Sequence, residues 1–242
     1  MNLLSIEHLV KNFGGKVAVK DVSIAVEAGK VYALIGPNGS GKTTLVKTIA
    51  GLLRPTEGTI LINCVSVAAD PALTKSKIGY VPDEPSVWPG MTGEEFLHFM
   101  GALFNVPEND RKTRIASLLS RFNLAGIEQG YFEDYSRGNK QKFTIMAALI
   151  HEPKLLLVDE PIVGLDPQSA EIAKEEFKNF AKRGGAAFIV THTLPVAQEI
   201  ADTIGVLKSG TLVAEGSMND LRTKAKLDGN ADLGAVYKAL AQ

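Results

Sequence analysis

Short apolar, β-branched runs alternate along the chain with segments whose apolar residues recur at helical spacing. The runs VYALI, LLLVDE and AAFIVT each precede such a segment, and the predicted helices cover about 42–50, the stretch after Pro167, and 194–201. Strands that alternate with single helices are typical of βαβ units, whose strands pair in parallel. The pattern therefore predicts an α/β domain built on a largely parallel sheet.

Two regions near the ends of the chain follow a different, alternating pattern. Leu4, Ile6 and Leu9, followed by VAVKDVSIAVEAGK, predict antiparallel strands near the start of the chain. The segment TIGVLKSGTLVAEG predicts a hairpin that turns at Ser209 and Gly210. We therefore expect an antiparallel β edge that flanks the parallel sheet.

The strand pattern fades between residues 84 and 150, where amphipathic helices are predicted over about 92–104, 107–122 and 140–150. This part of the chain is predicted to be a helical subdomain inserted into the α/β core. The sequence thus predicts a single domain over residues 1–242. Residues 1–83 and 151–219 would form the core with its antiparallel edge, 84–150 the helical subdomain, and 220–242 a small helical appendage.

Composition narrows the function without identifying it. The chain has 26 Lys and Arg against 27 Asp and Glu, a formal charge of −1, which argues against a nucleic-acid partner bound through phosphate contacts. No apolar run approaches the roughly 20 residues that span a bilayer, so we expect no membrane span in the chain itself. The start MNLLSIEHLVKNF does not resemble an export signal, and a single cysteine, Cys64, suits a reducing cytoplasm.

The clearest chemical signal is GPNGSGKTT, directly after the predicted strand VYALI and before a predicted helix. Glycines in this pattern let successive backbone N–H groups face one phosphate, and the helix start adds its positive end. A plain glycine-rich turn is the alternative, which the strand and helix on either side disfavour. Lys42 would contact the β- and γ-phosphates, and the Thr43 hydroxyl would bind Mg²⁺. The predicted nucleotide-binding residues here are Gly36, Pro37, Asn38, Gly39, Ser40, Gly41, Lys42, Thr43 and Thr44.

A second apolar strand, LLLV, ends in two acidic residues, Asp159 and Glu160. By itself this pattern is equally typical of a strand that ends in solvated carboxylates. Beside a phosphate-binding loop the two acids acquire separate tasks, because successive side chains of a strand diverge. Asp159 is predicted to hold Mg²⁺, and Glu160 to face the γ-phosphate and polarise the attacking water.

Three further segments give the chain a family resemblance. YSRGNKQK resembles the LSGGQ signature of ABC-type ATPases, GLDP resembles their D-loop, and the histidine after AAFIVT resembles their switch histidine. Together with the phosphate loop these segments follow the family's order over nearly the whole chain. The chain therefore resembles the nucleotide-binding domain of ABC transporters. The forms VPDEP and YSRGNKQK are most similar to the ATPase partners of ABC-2-type exporters.

The resemblance implies a fold and roles for residues that spacing alone does not assign. The fold would be a P-loop NTPase with a RecA-like, mostly parallel sheet, an antiparallel β subdomain and an inserted helical subdomain. Phe13 would stack on adenine, although a lone phenylalanine is more often a core residue. Asp83 stands where the family usually has glutamine, and would touch Mg²⁺ and the attacking water. His192 would hydrogen-bond the γ-phosphate and orient water.

Other residues would act across an interface with a second nucleotide-binding domain. Ser136 and Gly138 would contact the γ-phosphate bound by the other subunit, and Asp166 would belong to the D-loop. Ser136 and Asp166 are also good helix N-caps, which is the simpler explanation for both.

Arg137 departs from the family's signature, which has glycine at this position. Because a left-handed arginine would cost about 1–2 kcal/mol, we expect Arg137 in a right-handed helical conformation with its side chain outward. It would border the nucleotide interface without touching the γ-phosphate. Trp88 and Tyr135 are predicted to pack inside the helical subdomain.

The resemblance implies an ATPase with Glu160, His192 and Lys42 as catalytic residues and with ATP and Mg²⁺ as substrate and cofactor. Two such domains, in a homodimer or a heterodimer, would drive a separate integral membrane permease, with export as the direction. The chain would lie in the cytoplasm, peripheral to the inner face of the membrane. The alternative is a non-transport ABC ATPase that acts as a regulatory or mechanical clamp. A single phosphate loop and the lack of sustained heptads in the sequence weigh against that alternative.

Overall fold

The computed structural model describes residues 1–85, 88–160, 162 and 164–240. Parts of the predicted helical subdomain (86–87) and of the predicted appendage (241–242) therefore lie outside the described residues. The strands are β1 (Asn2–Phe13), β2 (Lys16–Glu27), β3 (Val31–Ile35), β4 (Glu57–Ile62), β5 (Val65–Ser66), β6 (Ile78–Val81), β7 (Leu155–Asp159), β8 (Ala186–Thr191), β9 (Thr203–Lys208) and β10 (Thr211–Gly216). The helices are α1 (Lys42–Ile49), α2 (Pro71–Ser76), α3 (Gly93–Leu103), α4 (Glu108–Arg121), α5 (Arg137–Leu149), α6 (Pro167–Lys182), α7 (Leu194–Ile200), α8 (Met218–Lys224) and α9 (Leu233–Leu240).

The main sheet has six strands in the order β10-β9-β3-β8-β7-β6. All neighbouring strands pair in parallel except β10, which is antiparallel to β9. The predicted parallel sheet is confirmed, with β3, β7 and β8 at its centre and buried along their whole length. The hairpin turns where predicted, but its first strand, β9, is a parallel strand of the main sheet. Only β10 provides the antiparallel edge there.

A second sheet carries the antiparallel strands predicted near the start of the chain. Its order is β2-β1-β4-β5, and every neighbouring pair is antiparallel. The inner face of this sheet packs with helix α1 and one face of the main sheet around a shared core that includes Leu4, Ile24, Leu45 and Leu157. Burial of these side chains fixes the phosphate loop, which leads into α1, between the two sheets.

The helices α3, α4 and α5 form the helical region on the other face of the main sheet. Helix α3 begins with a capping box, in which the Thr92 side chain accepts from the Glu95 amide and Glu95 accepts from the Thr92 amide. Helix α5 begins at Arg137, three residues earlier than the apolar periodicity indicates. The reason is that Ser136 caps its first turn and lets polar residues occupy it. A cluster of aromatic rings that includes Phe96, Phe132 and Phe143 joins the helices.

The predicted appendage begins at Met218, two residues before the expected boundary, because Ser217 caps α8 in a capping box with Asp220. Helices α8 and α9 bury Leu221, Leu233 and Val236. These side chains pack with helix α7 against strands β3 and β9 of the main sheet. No helix in the described part of the chain has the length and apolar character needed to cross a membrane.

His151 gives the fold a predicted pH dependence. Its ring stacks on Phe104 with 3.8 Å between centroids, its Nε2 lies 3.0 Å from the Ile78 carbonyl oxygen, and burial lowers its pKa from 6.5 to about 4. Between these values the unfolded chain binds a proton that the folded chain does not, so stability falls as the pH drops through this window. From pH 7.5 to 5.0 this difference removes about 2 kcal/mol from the free energy of unfolding.

Denaturant unfolding of the wild type and His151→Phe at both pH values measures this contribution. The variant retains an aromatic ring beside Phe104 and loses the titrating group. We expect it to lose about 2 kcal/mol less than the wild type between pH 7.5 and 5.0. The same loss in both proteins would contradict a buried, neutral His151.

Candidate active site

The phosphate loop leaves strand β3 at Gly36 and enters helix α1 at Lys42. Two of its positions require glycine. A Cβ atom on Gly36 would lie 2.2 Å from the Leu207 carbonyl oxygen, and one on Gly41 would lie 2.3 Å from the Ala18 carbonyl oxygen. Gly41 also has a φ of +106°, in the region that side-chain-bearing residues rarely adopt. The loop is thus tightly packed against β9 and β2, which fixes the direction of its backbone.

The Lys42 side chain lies inside the loop, and the residue is only 7% exposed. Its Nζ donates to the carbonyl oxygens of Gly36, at 2.9 Å, and Pro37, at 3.1 Å. Burial lowers the pKa of Lys42, while the nearby carboxylates of Glu160 and Asp159 raise it. The ammonium group is therefore held where the loop can present it to an anion.

Asp159 ends strand β7 with a carboxylate that is almost completely buried. Burial raises its pKa, the charges of Asp83 and Glu160 raise it further, and a hydrogen bond from Thr43 lowers it. Its Oδ1 is buried and has no hydrogen-bond partner. A buried carboxylate oxygen without a donor, beside a hydroxyl, is the arrangement that a divalent cation satisfies.

This pair of residues therefore fits Mg²⁺, but it does not form a complete cage. Among the described residues, no group of three or more His, Cys, Asp or Glu side chains could hold a metal ion. Mg²⁺ typically takes one or two protein ligands and completes its shell with phosphate oxygens and water. Asp159 and Thr43 meet that requirement.

Glu160 follows β7 directly and makes three contacts with the end of the neighbouring strand, β8. The Thr191 hydroxyl donates to Glu160 Oε2 at 3.0 Å, the His192 amide donates to Oε1 at 2.9 Å, and His192 Nδ1 lies 2.7 Å from Oε1. The Glu160 backbone has a φ of +49°, and its N–H donates to the Val190 carbonyl oxygen. These contacts orient the carboxylate. The sequence predicts separate tasks for Glu160 and His192 and does not reveal that they touch.

A cleft of about 720 Å³ brings most of the predicted nucleotide-binding residues together. The predicted residues that line it are Phe13, Asn38, Gly39, Gly41, Lys42, Thr43, Thr44, Asp83, Glu160 and His192. The cleft also contains Lys16 and Lys20, two cations that no sequence motif marks. Their alternation in strand β2 resembled that of any exposed strand face, so only the fold reveals where they lie.

Phe13 lies at the turn between β1 and β2 at the rim of this cleft, and it is 46% exposed. Lys11 Nζ lies 4.8 Å from the centroid of its ring. An exposed ring at a cleft edge is unusual for a residue whose only task is packing, so its position favours the stacking prediction over a core position.

Ser136 and Asp166 do not line the cleft. Ser136 Oγ accepts from the Asn139 amide at 3.3 Å, and Asp166 Oδ1 accepts from the Ser169 amide at 3.0 Å. Both residues are therefore N-caps, of α5 and α6, as the simpler explanation predicted.

Arg137 is the first residue of α5 and right-handed, and its side chain is exposed, as predicted. That side chain lies along Gly164, with Cδ 3.0 Å from where a Cβ of Gly164 would stand, and it lines the cleft of its own chain. The neighbouring Gly138 does not line the cleft. A Cβ atom on Gly138 would lie 3.4 Å from the Gly164 carbonyl oxygen. The two segments YSRGN and GLDP therefore adjoin.

An apolar groove of about 430 Å³ opens between the helical region and strand β6. Trp88 lines it, 42% exposed, with its ring 5.5 Å from that of Phe99. The prediction that Trp88 packs inside the helical subdomain is thus correct only in part. Tyr135 does pack there, stacked on Phe143 with 4.9 Å between centroids. Leu52, 55% exposed, lies on the other side of the groove.

Comparison with protein families decides what this cleft belongs to. The family described as ABC transporter matches residues 19–163, which include the phosphate loop, the signature segment, Asp159 and Glu160. The chain belongs to the ABC transporter family. The ABC-type transporter ATP-binding protein EcsA of Bacillus subtilis (strain 168) is 33% identical over 100% of this chain and 98% of its own length. The Nod factor export ATP-binding protein I of Rhizobium leguminosarum bv. viciae is 34% identical over 85% of this chain and 66% of its own length.

Solved structures agree with the ABC assignment. An ATP-binding subunit of an ABC transporter superposes with a TM-score of 0.94 at 32% identity, over 99% of this chain and 100% of the other. A dimeric ATP-binding cassette in a post-hydrolysis state, bound to ADP and Pi, gives a TM-score of 0.79 at 26% identity, over 89% and 98%. The predicted family, fold class and ATPase activity are confirmed. This ABC subunit binds and hydrolyses ATP, dimerises with a second nucleotide-binding domain and powers a membrane permease.

Proposed function

We propose that the 720 Å³ cleft is where this ABC subunit binds and hydrolyses ATP with Mg²⁺. The observation that carries the proposal is the buried, unpartnered Oδ1 of Asp159. The Asp159 carboxylate lies beneath the cleft lining and accepts a hydrogen bond from Thr43, which lines the cleft together with Lys42. A cation there and a phosphate on the loop would satisfy each other's charge. Bound at this position, Mg²⁺ would supply positive charge to the β- and γ-phosphate oxygens.

The chain's own residues would then divide the remaining work. Lys42 would exchange its two carbonyl acceptors for phosphate oxygens, to which an ammonium binds more strongly than to neutral acceptors. The backbone N–H groups of the loop and the start of α1 would hold the phosphates, and Phe13 would stack on the adenine. The whole arrangement positions the γ-phosphate at the edge of the sheet where β7 and β8 end.

Glu160 would accept a proton from the attacking water. Its carboxylate is already oriented by the Thr191 hydroxyl and by His192, so the water can be held without reorganising the site. Because His192 Nδ1 donates to Glu160, Nε2 is the ring nitrogen left for the γ-phosphate, and it would donate to a phosphate oxygen when both ring nitrogens carry a proton. Asp83, which lines the same cleft, would contact the water shell of Mg²⁺.

Ser136, Gly138 and Asp166 would act on the nucleotide of a second nucleotide-binding domain. In support, none of the three lines the cleft of its own chain, whereas Ser136 is exposed at the start of the thirteen-residue helix α5. The positive end of such a helix favours an anion, and a second copy would bring its γ-phosphate to it.

We further propose that transport runs outward and that the subunit lies in the cytoplasm, at the inner face of the membrane through its permease. The forms VPDEP and YSRGNKQK, which resemble those of ABC-2-type exporters, support the direction. So does the similarity to a Nod factor export protein.

We also propose that the chain divides into a core (1–83 and 151–219), a helical subdomain (84–150) and an appendage (220–242).

Arg137 provides a test of the second-copy role of α5. Arg137→Glu places a negative charge beside the phosphates and leaves the buried core unchanged, since the side chain is exposed. We expect dimerisation to need at least about tenfold more ATP, because a like charge in such a site costs more than 1 kcal/mol. Analytical ultracentrifugation with ATP measures this.

Thermal unfolding of the monomer checks that Arg137→Glu folds normally, and Arg137→Lys serves as the matched control that retains the charge. Unchanged ATP affinity of the monomer shows that the effect does not arise in the chain's own cleft, and unchanged dimerisation in Arg137→Glu would show that α5 does not meet the nucleotide of a second copy.

The apolar groove is the surface on which we propose the permease docks. Trp88 and Leu52 are exposed there, which costs free energy in a free chain and favours burial against a partner. Pro82 lines the groove and the next residue, Asp83, lines the nucleotide cleft, so docking at the groove would be adjacent to the cleft.

Leu52→Glu tests this docking site. We expect pull-down by the permease to fall at least about tenfold, because a charge would be buried in an apolar contact. ATP binding should not change. Val213→Glu is the control, since Val213 is similarly exposed on the edge strand β10 and does not line the groove. Equal pull-down of Leu52→Glu and the wild type would place the permease elsewhere.

A further inference from the structure

A separate cavity of about 530 Å³ lies at the ends of the main-sheet strands opposite to those at the nucleotide cleft. Lys154 and Gly185, which line it, immediately precede β7 and β8, whereas Glu160 and His192 immediately follow these strands. A five-residue strand spans about 17 Å, so the length of these strands separates the two sites. The cavity is bounded by α4, by the loop between α5 and β7, and by the end of α6.

Four cationic side chains line this cavity: Arg114, Arg121, Lys154 and Arg183. They come from three separate segments of the chain, and the cavity wall contains one carboxylate, that of Glu152. The hydroxyl-bearing residues Thr113 and Ser117 also line it, on the same helix as the first two arginines.

Two of the arginines are held in place by hydrogen bonds. Arg114 donates to the Ile150 carbonyl oxygen and pairs with Glu152, each at 2.9 Å. Arg121 donates to both carboxylate oxygens of Glu176 through Nε and one terminal nitrogen. Their guanidinium planes are therefore fixed, and little side-chain entropy remains to be lost on binding an anion.

The positive charges outnumber the carboxylates that face them. Arg183 lies 3.9 Å from the same Glu176 carboxylate that Arg121 occupies, so one acid serves two guanidinium groups. Burial lowers the pKa of Arg121, and the charge of Arg183 lowers it further. Within the described residues no ion pair of Lys154 is found. Glu152 and Glu176 thus balance two of four positive charges.

We propose that this cavity binds a small phosphate-bearing anion with two or more negative charges. Because Arg114 and Arg121 already pair with Glu152 and Glu176, the two excess positive charges are those of Arg183 and Lys154, and together they match a dianion. The volume is large enough for a small phosphorylated molecule or a lipid headgroup. The ligand would connect α4 of the helical region to the end of α6 and the start of β7.

Thermal unfolding of the Lys42→Ala variant tests the proposal, because that change removes the nucleotide cleft as a competing phosphate site. We expect 10 mM pyrophosphate to raise the Tm by about 2–4 °C above sodium chloride of equal ionic strength. Adding Arg183→Glu, or Lys154→Glu, should abolish the rise. Adding Lys182→Glu should not, since this neighbouring exposed cation does not line the cavity. No rise, or an equal rise with Arg183→Glu, would overturn the proposal.

Sedimentation with vesicles that contain phosphatidic acid, whose phosphomonoester headgroup can carry two negative charges, identifies the source of the phosphate. Binding that requires Arg183 and that pyrophosphate displaces would assign the cavity to a lipid headgroup. A Tm rise with pyrophosphate and no such sedimentation would assign it to a soluble phosphorylated molecule. Because Lys42→Ala disables the nucleotide cleft, the outcome is independent of whether the roles proposed for that cleft are correct.

Discussion

Replacing Glu160 by glutamine is expected to reduce ATP hydrolysis about a thousandfold while leaving ATP binding intact. The amide retains the shape of the carboxylate and its Oε1 acceptor for the two donors of His192, so the site should stay assembled. It cannot accept the proton of the attacking water, and loss of a general base typically costs two to four orders of magnitude. Steady-state phosphate release and equilibrium ATP binding measure the two effects separately.

Because hydrolysis would release the dimer, Glu160→Gln should also accumulate as an ATP-bound dimer in gel filtration. Glu175→Gln is the matched control, since Glu175 is an exposed acid on α6 outside the cleft. It should hydrolyse ATP at the rate of the wild type. Near-normal turnover by Glu160→Gln would remove Glu160 from the proposed role.

Replacing Lys42 by alanine should weaken ATP binding at least about a hundredfold. The ammonium is nearly buried, so an anion that binds beside it is poorly screened by water. Two lost charge-assisted hydrogen bonds correspond to about 3 kcal/mol or more. Titration calorimetry with ATP and Mg²⁺ measures the change.

The variant should remain folded, because the positive charge of Lys42 is partly desolvated in the wild type and its removal leaves only two loop carbonyls without a donor. Lys47→Ala is the control: Lys47 is exposed on the same helix and does not line the cleft. If Lys42→Ala bound ATP as tightly as Lys47→Ala, the loop would not be the phosphate site.

The sequence was most informative where one local pattern determines one local structure. The apolar runs of β3, β7 and β8 and the caps Ser136 and Asp166 were all predicted correctly. So was the right-handed start of α5 at Arg137. Each of these depends on burial or on a hydrogen bond within four residues, which a single sequence contains.

Features that depend on the order of strands were not predictable in the same way. Strand β6 has four residues and a glycine, too short a pattern to distinguish from a loop, yet it pairs with β7 along its length. Strand β9 looked like one half of a hairpin and is also a parallel neighbour of β3. Hairpin patterns specify the turn and leave the second neighbour of each strand undetermined.

The same limit applies to the site. Glu160 and His192 are 32 residues apart, and their contact exists because β7 and β8 are adjacent and end at one edge. Trp88 was taken for a packing residue because sequence alone does not tell an apolar residue in a core from one in a groove. The four cations of the second cavity come from three segments whose proximity only the fold creates.

The proposed function requires that the Lys42 loop hold the terminal phosphates of ATP while Asp159 and Thr43 hold Mg²⁺. Titration of the purified wild-type chain with ATP, with Mg²⁺ and then with excess chelator, measures this in one experiment, and Asp159→Asn repeats it without the buried carboxylate. We predict binding that weakens at least about tenfold when Mg²⁺ is removed, and no Mg²⁺ dependence in Asp159→Asn. Wild-type protein that bound no ATP, or bound it equally with and without Mg²⁺, would contradict the account.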